Sequence, residues 1–593
     1  MKDKIINSLQ NKKFFIFVII LTALLVMPGI NSGFTTDDWL HRIFLKNKKF
    51  VEVDRNLSLT PYGMFSFLDG NTKTINTLKD NGLLPWWSFE KLRMSFWRPL
   101  TELTHVLDYT LWADSPLAMH IHSFILYGIL LFLLFVFYRR LLNPLWIAGL
   151  AILLYAIDDA HAVPVSWIAN RNALLAVIFG LATMLLYDSA VKTKQIKFTF
   201  FAMLTFILAL LSGEFALATT GYLFAYMVAL DERPLKTKIV ALVPFAIIAV
   251  VWMVIYSKGG FGSFGSGMYI DPAKEPASFL AAFVQRGPVL LLSKLGLPPA
   301  IYYTMVYGQL KIAYLIAAYG FVSLILILMI PMLKASNVAR FWLIGMIISL
   351  IPVCATSPDD RLLLFVSIGA TGLLAQFIAG WLQKEPWVPT VKFKKIVFSS
   401  ITVLLLFIHL LVAPALLNAS SAIDKFIGFI NNISLDKKII PDNKDQHIIL
   451  MNGYFYWSNM VFKRYAKDIP VHYTRVLSTG DEEMYIYRID KSTIEIDTKN
   501  GFFTSFISHM MRSKKYPMKK GYTVKLKDLE IKILSMTKDN RPKRIRCTFG
   551  YSLDNKKRVK FFYIQDDVFK VYTMPVIGKR NTLEKIRYKV KKK

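Results

Sequence analysis

Cysteine is nearly missing from this chain: 593 residues hold two, Cys354 and Cys547. Two thiols so far apart exclude a disulfide framework and a cysteine-rich metal site, and they leave the redox compartment unread. Acidic residues are also scarce, 40 Asp and Glu against 72 Lys and Arg, for a formal charge of +32. Charged residues make up only 19% of the chain and apolar ones 54%, with a mean hydropathy of +0.41. That balance excludes a soluble protein of this length and describes a polytopic membrane protein with a soluble appendage. A small-x-small cleavage site is lacking after the first apolar run. Basic Met1 to Lys13 and apolar Phe14 to Ile30 therefore read as a first transmembrane helix, not a signal peptide.

What the chain has is a succession of apolar runs, each about 15–22 residues, the length that carries a helix across a hydrocarbon core of about 30 Å. Eleven spans are expected, near 14–30, 118–138, 143–157, 172–189, 197–212, 215–230, 239–256, 312–332, 340–353, 362–381 and 395–412. The segments between them are of two kinds. Arg139-Arg140, Lys192 to Lys197, Arg233 to Lys238, Lys334 to Arg340 and Lys384 to Lys395 are basic. Asp37-Asp38, Asp158-Asp159-Ala160-His161, Ser212-Gly213-Glu214 and Asp359-Asp360-Arg361 alternate with them. The positive-inside rule puts the first set and the N-terminus in the cytoplasm and the second set outside. An odd number of spans then leaves the C-terminal region outside too, and the compact lysine-rich loops favour a bacterial inner membrane. Gly287 to Leu310, interrupted by Pro298-Pro299 and containing Lys294, is expected to be a helix-break-helix at the outer surface that does not alter this parity.

Residues 1–415 thus form a membrane domain, 416–439 a linker, and 440–593 a separate domain. The last carries short alternating runs that read as strands, with a helix near Phe502 to Arg512, so an α+β, β-rich fold outside the membrane is expected. It holds 34 of the Lys and Arg against 16 Asp and Glu, a surplus of +18. An anionic surface or glycan suits that charge as a neighbour, a plain solvated face equally so, and nucleic acid is not an expected partner. The first outer loop, 31–117, with Pro85-Trp86-Trp87 and Phe96-Trp97-Arg98-Pro99-Leu100, suggests helices lying on the membrane surface over a cavity. Gly260 to Gly265 spells G-x-G-x-x-G, but it follows a transmembrane helix instead of a strand, so a mobile flap is expected there, not a dinucleotide site.

Two adjacent carboxylates, Asp37 and Asp38, stand where the chain leaves the bilayer, since hydrocarbon would not hold them. Acids so placed could serve as general base, hold a divalent cation or merely cap a helix. Arg98, Arg171 and Arg361 each lie near an outer helix end, where a guanidinium binds phosphate with two donors or simply snorkels. His161, Glu214 and Asp360 mark the outer ends of other helices and could converge on the acids. The spacing around His161 matches no sharp metal signature. No cofactor is implied and metal dependence is open, with a divalent cation the one candidate.

Several pieces form a pattern. Asp37-Asp38, Phe96-Trp97-Arg98-Pro99-Leu100-Thr101 with Leu107-Asp108-Tyr109, and His161 through Trp167-Ile168-Ala169-Asn170-Arg171 come first. Leu211-Ser212-Gly213-Glu214 with Ala216-Leu217, and Asp360-Arg361-Leu362-Leu363, follow in order. Together, over residues 10–412, they resemble the GT-C membrane glycosyltransferases, especially the transmembrane and tetratricopeptide-containing O-mannosyltransferase type and its bacterial relatives. The resemblance implies an inverting transferase that moves a sugar from a polyprenyl-phosphate donor to a glycan, protein or lipid acceptor on the outer face. An acid at Asp37 or Asp38 would deprotonate the acceptor. Arg98, Arg171 and Arg361 would steady the lipid phosphate, and His161, Glu214 and Asp360 would orient the site. Val163, Ser123 and Tyr127 depart from the pattern, and no tetratricopeptide array follows. The competing expectations are a carrier or flippase for lipid-linked sugars and a non-catalytic membrane assembly protein.

Overall fold

The computed structural model describes residues 2–46, 59–422, 446–469, 471, 474–566 and 568–587. Every expected span falls on a helix. Among the described residues seven helices are long and apolar enough to cross a bilayer: Lys12–Asn31, Pro116–Leu141, Ile168–Thr193, Leu235–Lys258, Gln309–Ala335, Leu364–Gln383 and Lys392–Ser421. An eighth crossing results if Leu145–Ala156 and Asp159–Ser166, bent by 52° at their junction, count as one span. The other three expected spans are shorter helices, Ile196–Ser212, Ala218–Ala229 and Asn337–Val353. At 17 residues the longer two reach about 25 Å at 1.5 Å per residue. The molecule is a multi-pass membrane protein.

Small residues set how closely the helices approach, as expected where apolar surface alone gives no drive for helix association. A methyl group on Gly345 would lie 2.3 Å from the Tyr222 ring, and one on Gly369 would lie 2.5 Å from the Trp342 carbonyl oxygen. The Tyr222 hydroxyl exploits that closeness, donating to the Phe365 carbonyl at 2.7 Å and accepting from the Gly369 N–H at 2.8 Å.

Pro276–Leu295, a broken stretch at Gly296 to Pro299 and the 3-10 turn Ala300–Thr304 make up the interrupted region. Glu275, just before that helix, pairs with Lys515 of the C-terminal domain. At its other end Lys294 is buried and pairs with Asp158. Its two ends thus meet the C-terminal domain and the bend between Ala156 and Asp159.

The loop over 31–117 is a folded unit that carries helices as well as strands; Pro99–Trp112, one of its helices, leaves Leu103, Leu107 and Leu111 exposed along one face. Its strands Ser66–Asp69 and Arg93–Ser95 pair antiparallel, and Gly262–Phe264 adds a third strand beside Arg93–Ser95. The glycine-rich segment expected to be a flap is therefore pinned by a ladder. Two further bonds fix it, from the Gly267 N–H to the His509 carbonyl and from the Ser513 N–H to the Gly265 carbonyl, each at 2.8 Å. Trp86 and Trp87 are buried, not interfacial. They pack with Tyr454, Phe502 and Phe503 in one core shared by the loop and the C-terminal domain.

That domain holds a six-stranded antiparallel sheet in the order Arg580–Leu583, Met484–Arg488, Thr493–Thr498, Pro542–Phe549, Leu529–Met536, Thr523–Leu526. A second sheet has the order Val568–Val571, Val559–Gln565, His447–Leu450, Thr474–Val476. Its last three strands are parallel, which requires a crossover. Helix Tyr454–Ala466 supplies it between His447–Leu450 and Thr474–Val476. The linker expected over 416–439 lies outside the described residues beyond 422, and the last helix runs on to Ser421.

Candidate active site

Gly33, at φ +75°, turns the chain out of the first span into helix Thr36–Lys46. Asp38 closes the first turn of that helix as a capping box: its Oδ2 accepts from the Thr35 N–H at 2.8 Å and the Thr35 hydroxyl at 3.0 Å. Its Oδ1 accepts from the Ala169 N–H at 2.8 Å, across to the start of the Ile168–Thr193 helix. The Tyr109 hydroxyl donates to the Asp38 carbonyl at 2.7 Å. Asp38 is buried and its oxygens are spent on backbone geometry.

Asp37 differs from its neighbour. It is only partly buried and no described residue donates a hydrogen bond to its carboxylate. Burial pushes its carboxyl up to about 6, while the Arg361 and Arg98 guanidiniums beside it pull the other way. A partly desolvated carboxylate within electrostatic reach of two cations suits a general base near neutral pH.

Arg98 stands at the start of helix Pro99–Trp112. Its Nε and Nη2 donate to Glu214 Oε2 at 3.0 and 2.9 Å, and its guanidinium lies 5.0 Å from the Phe65 ring and 4.7 Å from the Phe96 ring. Glu214 also accepts from the Tyr256 hydroxyl at 3.4 Å. Arg361 is held the same way: its Nε donates to Asp359 at 3.0 Å, its Nη1 to Asn170 at 3.4 Å, and it stacks 5.2 Å from the Trp167 ring. Aromatic faces and carboxylates thus fix both forks. Arg98 Nη1 and Arg361 Nη2 have no hydrogen-bond partner among the described residues, and the two side chains keep 16% and 19% exposure. These are preorganised donors facing water.

Tyr269, which sequence reasoning missed, lies among Arg361, Arg98, Asp37 and Glu214, and burial holds its hydroxyl above the usual phenol range. It packs 5.5 Å from Phe96 and pairs in an isolated bridge with Thr356. Nothing in its sequence setting, Gly-Met-Tyr-Ile within a loop, marks it.

The remaining expected residues stand apart from Asp37. Arg171 is fully buried, pairs with Asp108 at 2.5 Å, and donates to the Met119 carbonyl at 3.0 Å and Ser123 at 3.3 Å. Asp360 accepts from Ser293, from the Ala300 N–H at 3.0 Å and from the Ile301 N–H at 3.4 Å, so it anchors the broken stretch. His161 is buried against the Tyr155 ring at 4.3 Å, its Nδ1 2.9 Å from the Tyr127 hydroxyl. Of the eight, Asp37, Arg98, Glu214 and Arg361 come together as one group. Among the described residues no three His, Cys, Asp or Glu are grouped so as to hold a metal ion. The Asp37-Asp38 pair does not fit one, because Asp38 is committed to N–H donors.

No protein-family model matches the chain, and no curated protein matches it. Solved structures do align with it. The Archaeoglobus fulgidus oligosaccharyltransferase, tethered with an acceptor peptide, aligns at 12% identity and TM-score 0.38, covering 78% of this chain and 64% of that one. The same organism's oligosaccharyltransferase AglB, in complex with an inhibitory peptide and a dolichol-phosphate, aligns at 10% identity and TM-score 0.40 over the same shares. ArnT from Cupriavidus metallidurans, bound to undecaprenyl phosphate, aligns at 11% identity and TM-score 0.32, covering 78% of this chain and 89% of ArnT. The chain therefore spans just under two thirds of the length of the oligosaccharyltransferases.

Proposed function

We propose that this chain is a membrane glycosyltransferase that moves a sugar from a polyprenyl-phosphate donor to an acceptor on the outer face of the cytoplasmic membrane. The observation that carries the reading is one constellation: Asp37, without a hydrogen-bond donor among the described residues, lies within electrostatic reach of Arg98 and Arg361, each with one fork position unspent. In the reaction Asp37 accepts the proton of the acceptor hydroxyl, whose oxygen attacks the anomeric carbon from the face opposite the phosphate. The bond to the phosphate oxygen breaks, configuration inverts, and polyprenyl phosphate leaves with its new negative charge against Arg98 Nη1 and Arg361 Nη2. Asp38 holds the first turn in place and does not touch the proton. The bilayer brings the donor in sideways, its chain among the helices and its phosphate at the rim.

The test is release of undecaprenyl phosphate, followed by mass spectrometry, from purified protein given a panel of undecaprenyl-phosphate sugars and outer-envelope acceptors. Release that vanishes in Asp37→Asn supports the reading. Undiminished release in that variant ends the assignment of the base.

A carrier of lipid-linked sugars is the second reading, and one observation favours it. The buried Asp158–Lys294 pair sits where two broken helices meet, at the 52° bend before Asp159 and the break before Pro298-Pro299. Broken helices with ionisable groups are common at transporter sites. A carrier would move the lipid-linked sugar across a vesicle membrane intact, with no free polyprenyl phosphate.

A further inference from the structure

Helix Thr36–Lys46, which carries Asp37 in its first turn, is lined along its length by the C-terminal domain. The Thr36 hydroxyl donates to Asn459 Oδ1 at 2.7 Å. One turn on, the Lys463 ammonium lies 5.8 Å from the Trp39 ring. At the far end Lys46 pairs with Asp468 at 3.7 Å. Contacts at 36 and 39 meet 459 and 463 on helix Tyr454–Ala466, and 46 meets 468 just past its end, so the two helices run in the same direction, side by side. Asn459 is fully buried, and its own Nδ2 is fixed by donation to the Phe455 carbonyl at 2.9 Å. Its oxygen therefore has one orientation, toward Thr36.

We propose that Asn459, more than 420 residues along the chain from Asp37, is a positioning residue for that acid: it sets the pitch of the first turn and so the aim of the carboxylate. The soluble domain then belongs to the catalytic centre as a splint along the acid-bearing helix. The reason is geometric. Asp38 fixes the same turn from the membrane side through Ala169 N–H, and Thr36 fixes it from the outer side, with Asp37 between the two anchors. Loss of either anchor leaves a turn free to rotate by tenths of an ångström, enough to misdirect a proton acceptor. This inference rests on the glycosyltransferase reading of Asp37.

The experiment compares Thr36→Val, Thr36→Ser, Asn459→Ala and the Thr36→Val/Asn459→Ala double variant in the full-length protein. Undecaprenyl-phosphate sugar turnover and hydrogen–deuterium exchange over 34–46 are both measured. Thr36→Val and Asn459→Ala are expected to lower kcat roughly tenfold with KM for the lipid donor unchanged, and to raise exchange in 34–46. Thr36→Ser is expected to behave as the parent, and the double variant to be no worse than either single one, since both remove one bond. Unchanged exchange and kcat in Asn459→Ala, or losses that multiply in the double variant, would overturn the proposal. If Asp37→Asn keeps full turnover, the assignment of Asp37 as the base fails instead, and the exchange data still report whether the splint exists.

Discussion

Arg98 grips Glu214 with two donors on one oxygen, at 3.0 and 2.9 Å, and so points its remaining amino group away from its partner. Glu214 thus fixes the direction of the donor as well as neutralising a charge. Arg98→Lys keeps the charge but loses the fork. It is expected to raise KM for a polyprenyl-phosphate sugar about tenfold to a hundredfold, the worth of a charged hydrogen bond of about 1.5–3 kcal/mol. Glu214→Gln should do less, because an amide oxygen still accepts. Steady-state kinetics with the lipid donor varied checks both.

The two neighbouring acids should separate cleanly. Asp37→Asn is expected to abolish transfer while leaving the melting temperature unchanged, since nothing in the fold leans on that carboxylate. Asp38→Ala removes a capping box and is expected to cost about 1–2 kcal/mol of stability. Thermal unfolding in detergent, beside turnover, distinguishes them.

The pH profile follows from Asp37. Burial raises its carboxyl to about 6, and the base works only when ionised. The rate should therefore fall as pH drops through about 6. Arg361 holds that value down, so Arg361→Gln should move the acid limb to higher pH as well as weaken donor binding. A profile of kcat/KM between pH 4.5 and 8.5 in both proteins checks the sign.

Arg171 is expected to matter to folding more than to donor binding. Truncating it to Met leaves the buried Asp108 with His122 Nδ1, 2.7 Å from Oδ1, as its remaining partner and removes the cation from Oδ2, a loss of up to about 3–5 kcal/mol when a buried pair is broken. The yield of monodisperse protein should collapse in Arg171→Met, whereas Arg98→Lys should purify normally.

Gly265 tests the sheet that joins the two outer loops. A methyl group there would lie 2.3 Å from the Phe89 ring, and its φ is +79°, whereas Gly260 at +74° opens onto empty space. Gly265→Ala is therefore expected to destabilise the outer region by more than the roughly 1 kcal/mol that left-handed backbone strain alone costs in Gly260→Ala. Limited proteolysis of the loops would rank them.

Most of the bundle was legible because membrane crossing imposes a length that any apolar run advertises. What an apolar run could not show was where its helix begins and ends: the run over 340–353 lies within the 17-residue helix Asn337–Val353. Most strands of the C-terminal domain were legible by alternation, as in Leu529–Met536, where every second residue of the first half is exposed, but Thr474–Val476, buried throughout, and Arg580–Leu583 were not. Helix Tyr454–Ala466 was not. Its residues are buried between the sheet and helix Thr36–Lys46, and a helix covered on two faces shows no polar stripe. At the site, Asp37-Asp38 announced itself. Which of the two is free depended on Ala169, 131 positions away, which adjacency in sequence cannot reveal. The arginines divided for the same reason, Arg171 being claimed by Asp108 on another helix.

The shared core of the first loop and the C-terminal domain also has a temporal side. Trp86 donates its indole N–H to the Leu477 carbonyl, 391 positions later in the chain. At ribosomal speeds of about 5–20 residues per second, the loop would emerge roughly 20–80 seconds before its partner is made. Throughout that interval two tryptophans destined for the interior have no native cover, so biogenesis has to shelter them, in the translocation machinery or against lipid, until the tail arrives.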